Sequence, residues 1–217
     1  MSRYAAAIFD LDGTLLDTER RLIEAGIAVL GEMGHSVGRE FMVTLVGVGP
    51  AEGHRKLCDH LGTELDMTSF RAAWNGAARR VSDEVIPLMP GVADLLGRLD
   101  ARALPRAVAT NSMTASAWHK LTAAGIGRHF AQAHVVGYDA VPAPKPAPDV
   151  YLAAAERLGV APTDCVAFED SDAGVAAALA AGMVVVHIPD MAPASRRPAH
   201  HRAGSILEGA RACGLID

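Results

Sequence analysis

Disulfide chemistry is the first thing this sequence has little means for. Its three cysteines, Cys58, Cys165 and Cys213, are widely spaced, odd in number and lack a CxxC pair. Such a set argues against a disulfide framework and fits free thiols in a reducing compartment. Cys165 reads as core, and none of the three reads as catalytic. An excess of positive charge is also missing. The formal net charge is -5 and the pI is near 6.0, so no global basic field recruits nucleic acid or an anionic membrane surface. Attraction for an anionic substrate must therefore be local. Nor does the N-terminal region hold a long apolar run. The stretch from Ala5 stops at Asp10, too short for a signal h-region or a membrane span, and the expected address is the cytoplasm. There is no internal repeat and no long low-complexity tract. What remains, 217 residues that are 50% hydrophobic and 21% charged, is enough for one large domain or a domain carrying an insertion.

The rest of the chain is organised around Ile8-Phe9-Asp10-Leu11-Asp12-Gly13-Thr14. Ala5 to Phe9 has the pattern of a buried parallel strand, and it ends in two aspartates one residue apart. Side chains alternate along a strand, so Asp10 and Asp12 can lean toward the same side, and Gly13 lets the chain turn. Two such carboxylates repel unless a cation or a shared proton sits with them. Alone, the pattern also describes a plain polar turn with an Asp-Gly breaker.

From Asp17 to Val85 the sequence reads as helical. Ile23, Ile27 and Leu30 share a helical face ended by Gly34, Glu52 to Leu61 forms a shorter helix, and Phe70, Trp74, Ala77 and Val81 mark another. These stripes are core. After Pro87 and Pro90-Gly91 the texture changes to alternating apolar and helical segments. They are Arg106 to Ala109 then Thr114 to Ala124, Ala133 to Val136 then Asp149 to Leu158, Cys165 to Phe168 then Gly174 to Ala181, and Val184 to His187 then a helix over Ile206 to Ala212. The alternation predicts an α/β fold, a Rossmann-like parallel sheet covered by helices, that the opening strand joins. The implied division is a core of residues 1–16 and 86–217 with a helical insert over 17–85. Pro142 to Pro148 and Ala192 to His201 are expected loops, and the pair His200-His201 is expected to be polar surface.

Ligands of open parallel sheets bind at the carboxyl ends of the strands, so the residues at those ends test whether Asp10 and Asp12 have company. The strand ending at Ala109 runs into Thr110-Asn111-Ser112, a neutral cradle for phosphate at a helix start, unless Ser112 or Thr114 is only a helix cap. The strand ending at Phe168 runs into Glu169-Asp170-Ser171-Asp172, where Asp172 is the expected N-cap. A second acidic pair suits Mg²⁺, which takes carboxylate oxygens from more than one segment. Lys145, stiffened between Pro144 and Pro146, can offset the acids and hold a phosphoryl oxygen. Carboxylates, one cation and a hydroxyl and amide cradle together suit phosphoryl transfer, where charge must be stabilised and little covalent work remains.

In these motifs the sequence resembles the haloacid dehalogenase-like superfamily, in the branch with a helical cap that holds β-phosphoglucomutase-like and phosphoglycolate-phosphatase-like enzymes. Asp10-Leu11-Asp12-Gly13-Thr14 is similar to its first motif, Thr110-Asn111-Ser112 to its second, Lys145-Pro146 to its third, and Glu169-Asp170-Ser171 with Gly174 to its fourth. The resemblance implies that Asp10 is a nucleophile forming an aspartyl-phosphate, and that Asp12 protonates the leaving alkoxide and then takes a proton from water. It implies Mg²⁺ on Asp10, the Asp12 carbonyl and Asp170, with Glu169 close by, and phosphoryl oxygens on Ser112 and Lys145. The 17–85 insert matches the branch's cap, which makes Glu19 and the Gly47-Val48-Gly49 loop candidates for the leaving-group pocket.

Asp12 argues against the dehalogenases, since an alkyl halide needs no leaving-group acid. A mutase of the β-phosphoglucomutase type is the alternative. Leu22 stands where those enzymes carry a cap histidine, and Val46, Pro50 and Met113 stand where basic residues grip a second phosphate. A silent phosphate-binding or partner-binding module would have lost one of Asp10, Asp12, Lys145 or Asp170, and all are present. The expectation is a Mg²⁺-dependent phosphatase for a small phosphorylated metabolite, with no nucleic-acid or membrane partner and a monomeric state.

Overall fold

The computed structural model describes residues 3–45, 50–83, 86–191 and 198–217. The chain separates into two compact units, one formed by Met1–Asp17 with Ile86–Asp217 and the other by Thr18–Val85. The first is built on a six-stranded sheet of β1 (Ala6–Phe9), β2 (Arg106–Ala109), β3 (Val135–Val136), β4 (Cys165–Glu169), β5 (Val184–His187) and β6 (His201–Arg202). Every pairing is parallel and the order is β3-β2-β1-β4-β5-β6, so the strand order reverses beside β1. The predicted Rossmann-like α/β architecture is what is observed.

Strand alternation explains the layers. In β1, Ala7 and Phe9 face one side, where Val108, Phe168 and Val186 join them under helices α5 (Val92–Ala101), α6 (Thr114–Ala123) and α9 (Ile206–Ala212). Ala6 and Ile8 face the other side with Ala107, Ala167 and Val185, under α7 (Asp149–Leu158) and α8 (Asp172–Ala180). Both faces are dry, which is why the strands read as unbroken apolar runs rather than as alternating ones. The rings of Phe9 and Phe168 stack at 5.0 Å across the β1–β4 pair and hold the adjoining strand exits in register.

The second unit holds α1 (Glu19–Glu32), α2 (Arg39–Val43), α3 (Pro50–Leu61) and α4 (Met67–Asp83). Ile23 and Leu30 are buried and Ile27 half-buried; Ala77 is buried, Phe70 and Trp74 half-buried. The stripe's last member, Val81, lies outside the described side chains. Gly34 follows the end of α1, at a φ of 85°.

Several local expectations are corrected. The Ala192 to His201 loop yields a sixth strand: His201 and Arg202 pair with Val186 and His187, a short polar addition with no apolar signal. The neighbouring His200 is exposed, yet its Nδ1 accepts from the Val185 amide at 3.1 Å, so the histidine pair is more than loose surface. The N-cap of α8 is Ser171, whose hydroxyl accepts from the Gly174 amide, and Asp172 is the first helical residue. Neither Ser112 nor Thr114 caps α6; Asp139 does so from across the sheet edge, accepting from the Thr114 amide at 2.7 Å. The third strand is only Val135–Val136, because Gln132–His134 forms a 3₁₀ turn.

Candidate active site

The reversal of strand order opens a crevice at the exits of β1 and β4. The Asp10 amide donates to the Phe168 carbonyl at 3.0 Å, so the ladder runs up to the aspartate itself. Asp10, Glu169 and Asp170 are buried there together, each offering a carboxylate oxygen within 4.8 Å of the others. Lys145 answers them. Its Nζ donates to Asp10 Oδ1 at 2.6 Å and to Glu169 Oε1 at 2.5 Å. Glu169 is held on every side: Tyr151 Oη donates to Oε1 at 2.6 Å, and the Ser171 amide and hydroxyl donate to Oε2 at 3.3 and 3.1 Å. Asp170 accepts from Thr14 Oγ1 at 3.4 Å, and its backbone carbonyl lies 3.0 Å from His187 Nε2.

Small residues make this density of charge possible. A Cβ on Gly13, where φ is 87°, would stand 2.4 Å from Asp170 Oδ2. One on Gly174 would stand 1.8 Å from Glu169 Oε1.

The second exit carries a separate pair. Lys120, on the buried face of α6 with Ala117 and Leu121, reaches Asp12 Oδ1 at 2.8 Å and Oδ2 at 2.9 Å. Ser112 Oγ donates to Asp12 Oδ2 at 2.8 Å and lies 3.2 Å from Lys120 Nζ. The other cradle residues turn elsewhere. Thr110 Oγ1 accepts from the Ser112 amide at 3.0 Å and shapes that turn. Asn111 pins the third segment by a reciprocal pair, its Oδ1 accepting from the Lys145 amide at 2.9 Å and its Nδ2 donating to the Lys145 carbonyl at 3.2 Å.

Burial pushes the Asp10 carboxyl up to about 7, with Glu169 and Asp12 adding to the rise and Lys145 opposing it. Burial alone would lower Lys145, but the Asp10 and Glu169 carboxylates hold its pKa above the ordinary value. Burial and Glu169 likewise raise Tyr151 well above the usual range, so it stays a donor. One buried ammonium thus faces three buried acids. Hard oxygen donors so placed fit a small divalent cation; the cluster of acids is what the structure gives directly.

The structure therefore brings together Asp10, Lys145, Glu169 and Asp170, and beside them Asp12 and Ser112. Glu19 is half-buried in the other unit, and Gly47 lies outside the described residues. Sequence reading missed Lys120, Tyr151 and His187. Tyr151 left a signal, since its helix buries Val150 and Ala154 at i−1 and i+3 beside it. Lys120, with Ala117 and Leu121 buried at i−3 and i+1, reads in the sequence as the edge of a solvated face.

A doubly wound sheet with buried acids and a lysine at its reversal point is an arrangement suited to phosphoryl transfer. The match to the haloacid dehalogenase-like hydrolase model over residues 4–182 makes the assignment specific: the chain belongs to that family. It is 39% identical over 189 residues to the fructose-1-phosphate phosphatase YqaB of Escherichia coli, covering 86% of this chain and 97% of the relative. It is 33% identical over 178 residues to a phosphorylated carbohydrates phosphatase of Thermotoga maritima, covering 82% of each. Among solved structures, CbbY from Rhodobacter sphaeroides in complex with phosphate superposes with a TM-score of 0.77 at 25% identity, covering 98% of this chain and 100% of that one.

Proposed function

We propose that this hydrolase is a Mg²⁺-dependent phosphatase for a small phosphorylated sugar or similar metabolite, working through an aspartyl-phosphate on Asp10. Its family and its phosphatase relatives make it a phosphoric monoester hydrolase. The observation that carries the mechanism is the contact of buried Lys145 with both Asp10 and Glu169 at the β1–β4 exit.

In this reading an Asp10 oxygen attacks phosphorus while the bond to the leaving oxygen breaks, and Asp12 gives its proton to that oxygen. Asp12 then takes a proton from water, which attacks the acyl-phosphate, releasing inorganic phosphate and restoring Asp10. Lys145 and Ser112 hold phosphoryl oxygens through these steps. Asp10, the Asp12 carbonyl and Asp170 would hold Mg²⁺, which when bound offsets the charge of the acids and of the phosphoryl group. Glu169 already receives four donors, which suits it to anchoring Lys145 more than to binding the ion. The Thr18–Val85 unit is the cap, and Glu19 and the Gly47 loop belong to its reading of the leaving group. The chain works as a monomer in the cytoplasm.

Phosphate release from a panel of sugar and polyol monophosphates, with and without Mg²⁺, tests the proposal. Metal-dependent release with a preferred sugar or polyol phosphate is expected. Isomerisation of β-glucose 1-phosphate without release would replace it by the mutase reading, and silence on every compound would favour a binding module.

A further inference from the structure

Lys120 joins Lys145 as a buried lysine of the catalytic unit, and its ammonium is engaged with Asp12 and Ser112. Its side chain is only 10% exposed, and its ammonium spans both oxygens of Asp12 at 2.8 and 2.9 Å while touching Ser112 Oγ at 3.2 Å. A lysine on the buried stripe of α6, between Ala117 and Leu121, gives up solvation that a surface position would keep. A bidentate contact fixes the plane of the carboxylate as well as its place, and Ser112 closes the third side at 2.8 Å. The acids thus divide between two ammonium groups: Lys145 serves Asp10 and Glu169, and Lys120 serves Asp12.

We infer that Lys120 is a positioning residue for Asp12, aiming its carboxyl at the leaving oxygen. This rests on the proposed phosphatase reading. It makes a distinctive demand. Proton delivery matters for an alkoxide leaving group, whereas p-nitrophenolate departs without a proton, so loss of aim should be felt on one ester and not the other.

The test compares Lys120→Met with wild type by kcat/KM, which reports events up to departure of the leaving group, on the preferred sugar phosphate and on p-nitrophenyl phosphate. The expected result is a fall of about 100-fold on the sugar ester and of no more than about threefold on the aryl ester, the size usual for loss of a positioned acid. Lys120→Arg, which keeps a bidentate donor, should recover at least part of the lost sugar-to-aryl ratio. A fall equal on both esters would overturn the inference, making Lys120 a phosphate-binding cation or a purely structural one. So would unchanged activity on both, or an Arg variant of near-normal thermal stability that recovers none of the ratio. Should the Met variant fail to fold, the Arg variant decides by the same ratio: a selective deficit on the sugar ester supports the inference, and equal or absent deficits overturn it. Wild-type enzyme without Mg²⁺-dependent release from either ester would sink the phosphatase reading and this inference with it, whereas parallel losses in an active enzyme would sink the inference alone.

Discussion

At the scale of single residues, the site is a problem of buried charge solved by position. Asp10 is 7% exposed and bonded to Lys145, so replacing its carboxylate by an isosteric amide leaves the packing intact and removes the nucleophile. Asp10→Asn is therefore expected to fold with an unchanged circular dichroism spectrum and to lose at least about 1,000-fold in phosphate release, because removing a group that acts in the covalent step costs that order. Rates near wild type would take the role from Asp10. Asp170 differs, since it stands beside Asp10 and Glu169 with a carboxylate oxygen within 4.8 Å of theirs, where an ion held by the cluster would take it. Asp170→Ala should shift the Mg²⁺ concentration for half-maximal activity upward by at least about tenfold, the usual effect of losing support around a metal. The same variant should lose the Mg²⁺-dependent rise in melting temperature that any ligand of the native state produces. An unchanged titration would mean that Asp170 is not a ligand.

At the scale of elements, strand exits carry the chemistry and helix starts hold it still. The start of α8 is the tightest case, because Glu169 is pinned by four donors and cannot step aside from a new atom at Gly174. Gly174→Ala is expected to destabilise by about 2 kcal/mol or more, as overpacking does, and to lower activity with it. Gly97→Ala in α5 meets nothing within 4 Å and should be neutral or slightly stabilising. Thermal melts of the two variants check the contrast; equal melting points would mean that the α8 start yields freely. The same scale shows what the sequence made legible. Asp10, Asp170 and Ser112 stand where apolar runs stop, and such stops are visible without coordinates. The cap of α6 was not, because Asp139 comes from 25 residues away, and β6 was not, because a two-residue His-Arg strand has no period to read. Lys120 was hidden by its type, since a lysine near an apolar stripe looks like the edge of the solvated face until its partner is known.

At the scale of the whole molecule, the sheet is assembled from segments on either side of a long insertion. The chain leaves β1 through Leu15 to Asp17 and returns through Pro87 to Met89, and these two stretches run side by side. The Asp17 amide donates to the Pro87 carbonyl at 2.9 Å and the Met89 amide to the Leu15 carbonyl at 3.0 Å. Replacing residues 18–85 by a flexible linker of about six residues should therefore leave a cooperatively folding sheet unit, because the ends already meet and a short closing loop costs little entropy. A chain that no longer shows a cooperative thermal transition would mean that the insert is needed to fold the sheet. Its turnover of sugar phosphates should nonetheless fall, since the proposed cap is gone.

That closed base has a further meaning. Because the chain is stitched together where the insertion begins and ends, additions, deletions and exchanges within it need not be transmitted to the strands that carry Asp10 and Asp170. Under the proposed division of labour, the chemistry and the choice of customer are inherited as separate parts, so a lineage can change what it dephosphorylates without relearning how.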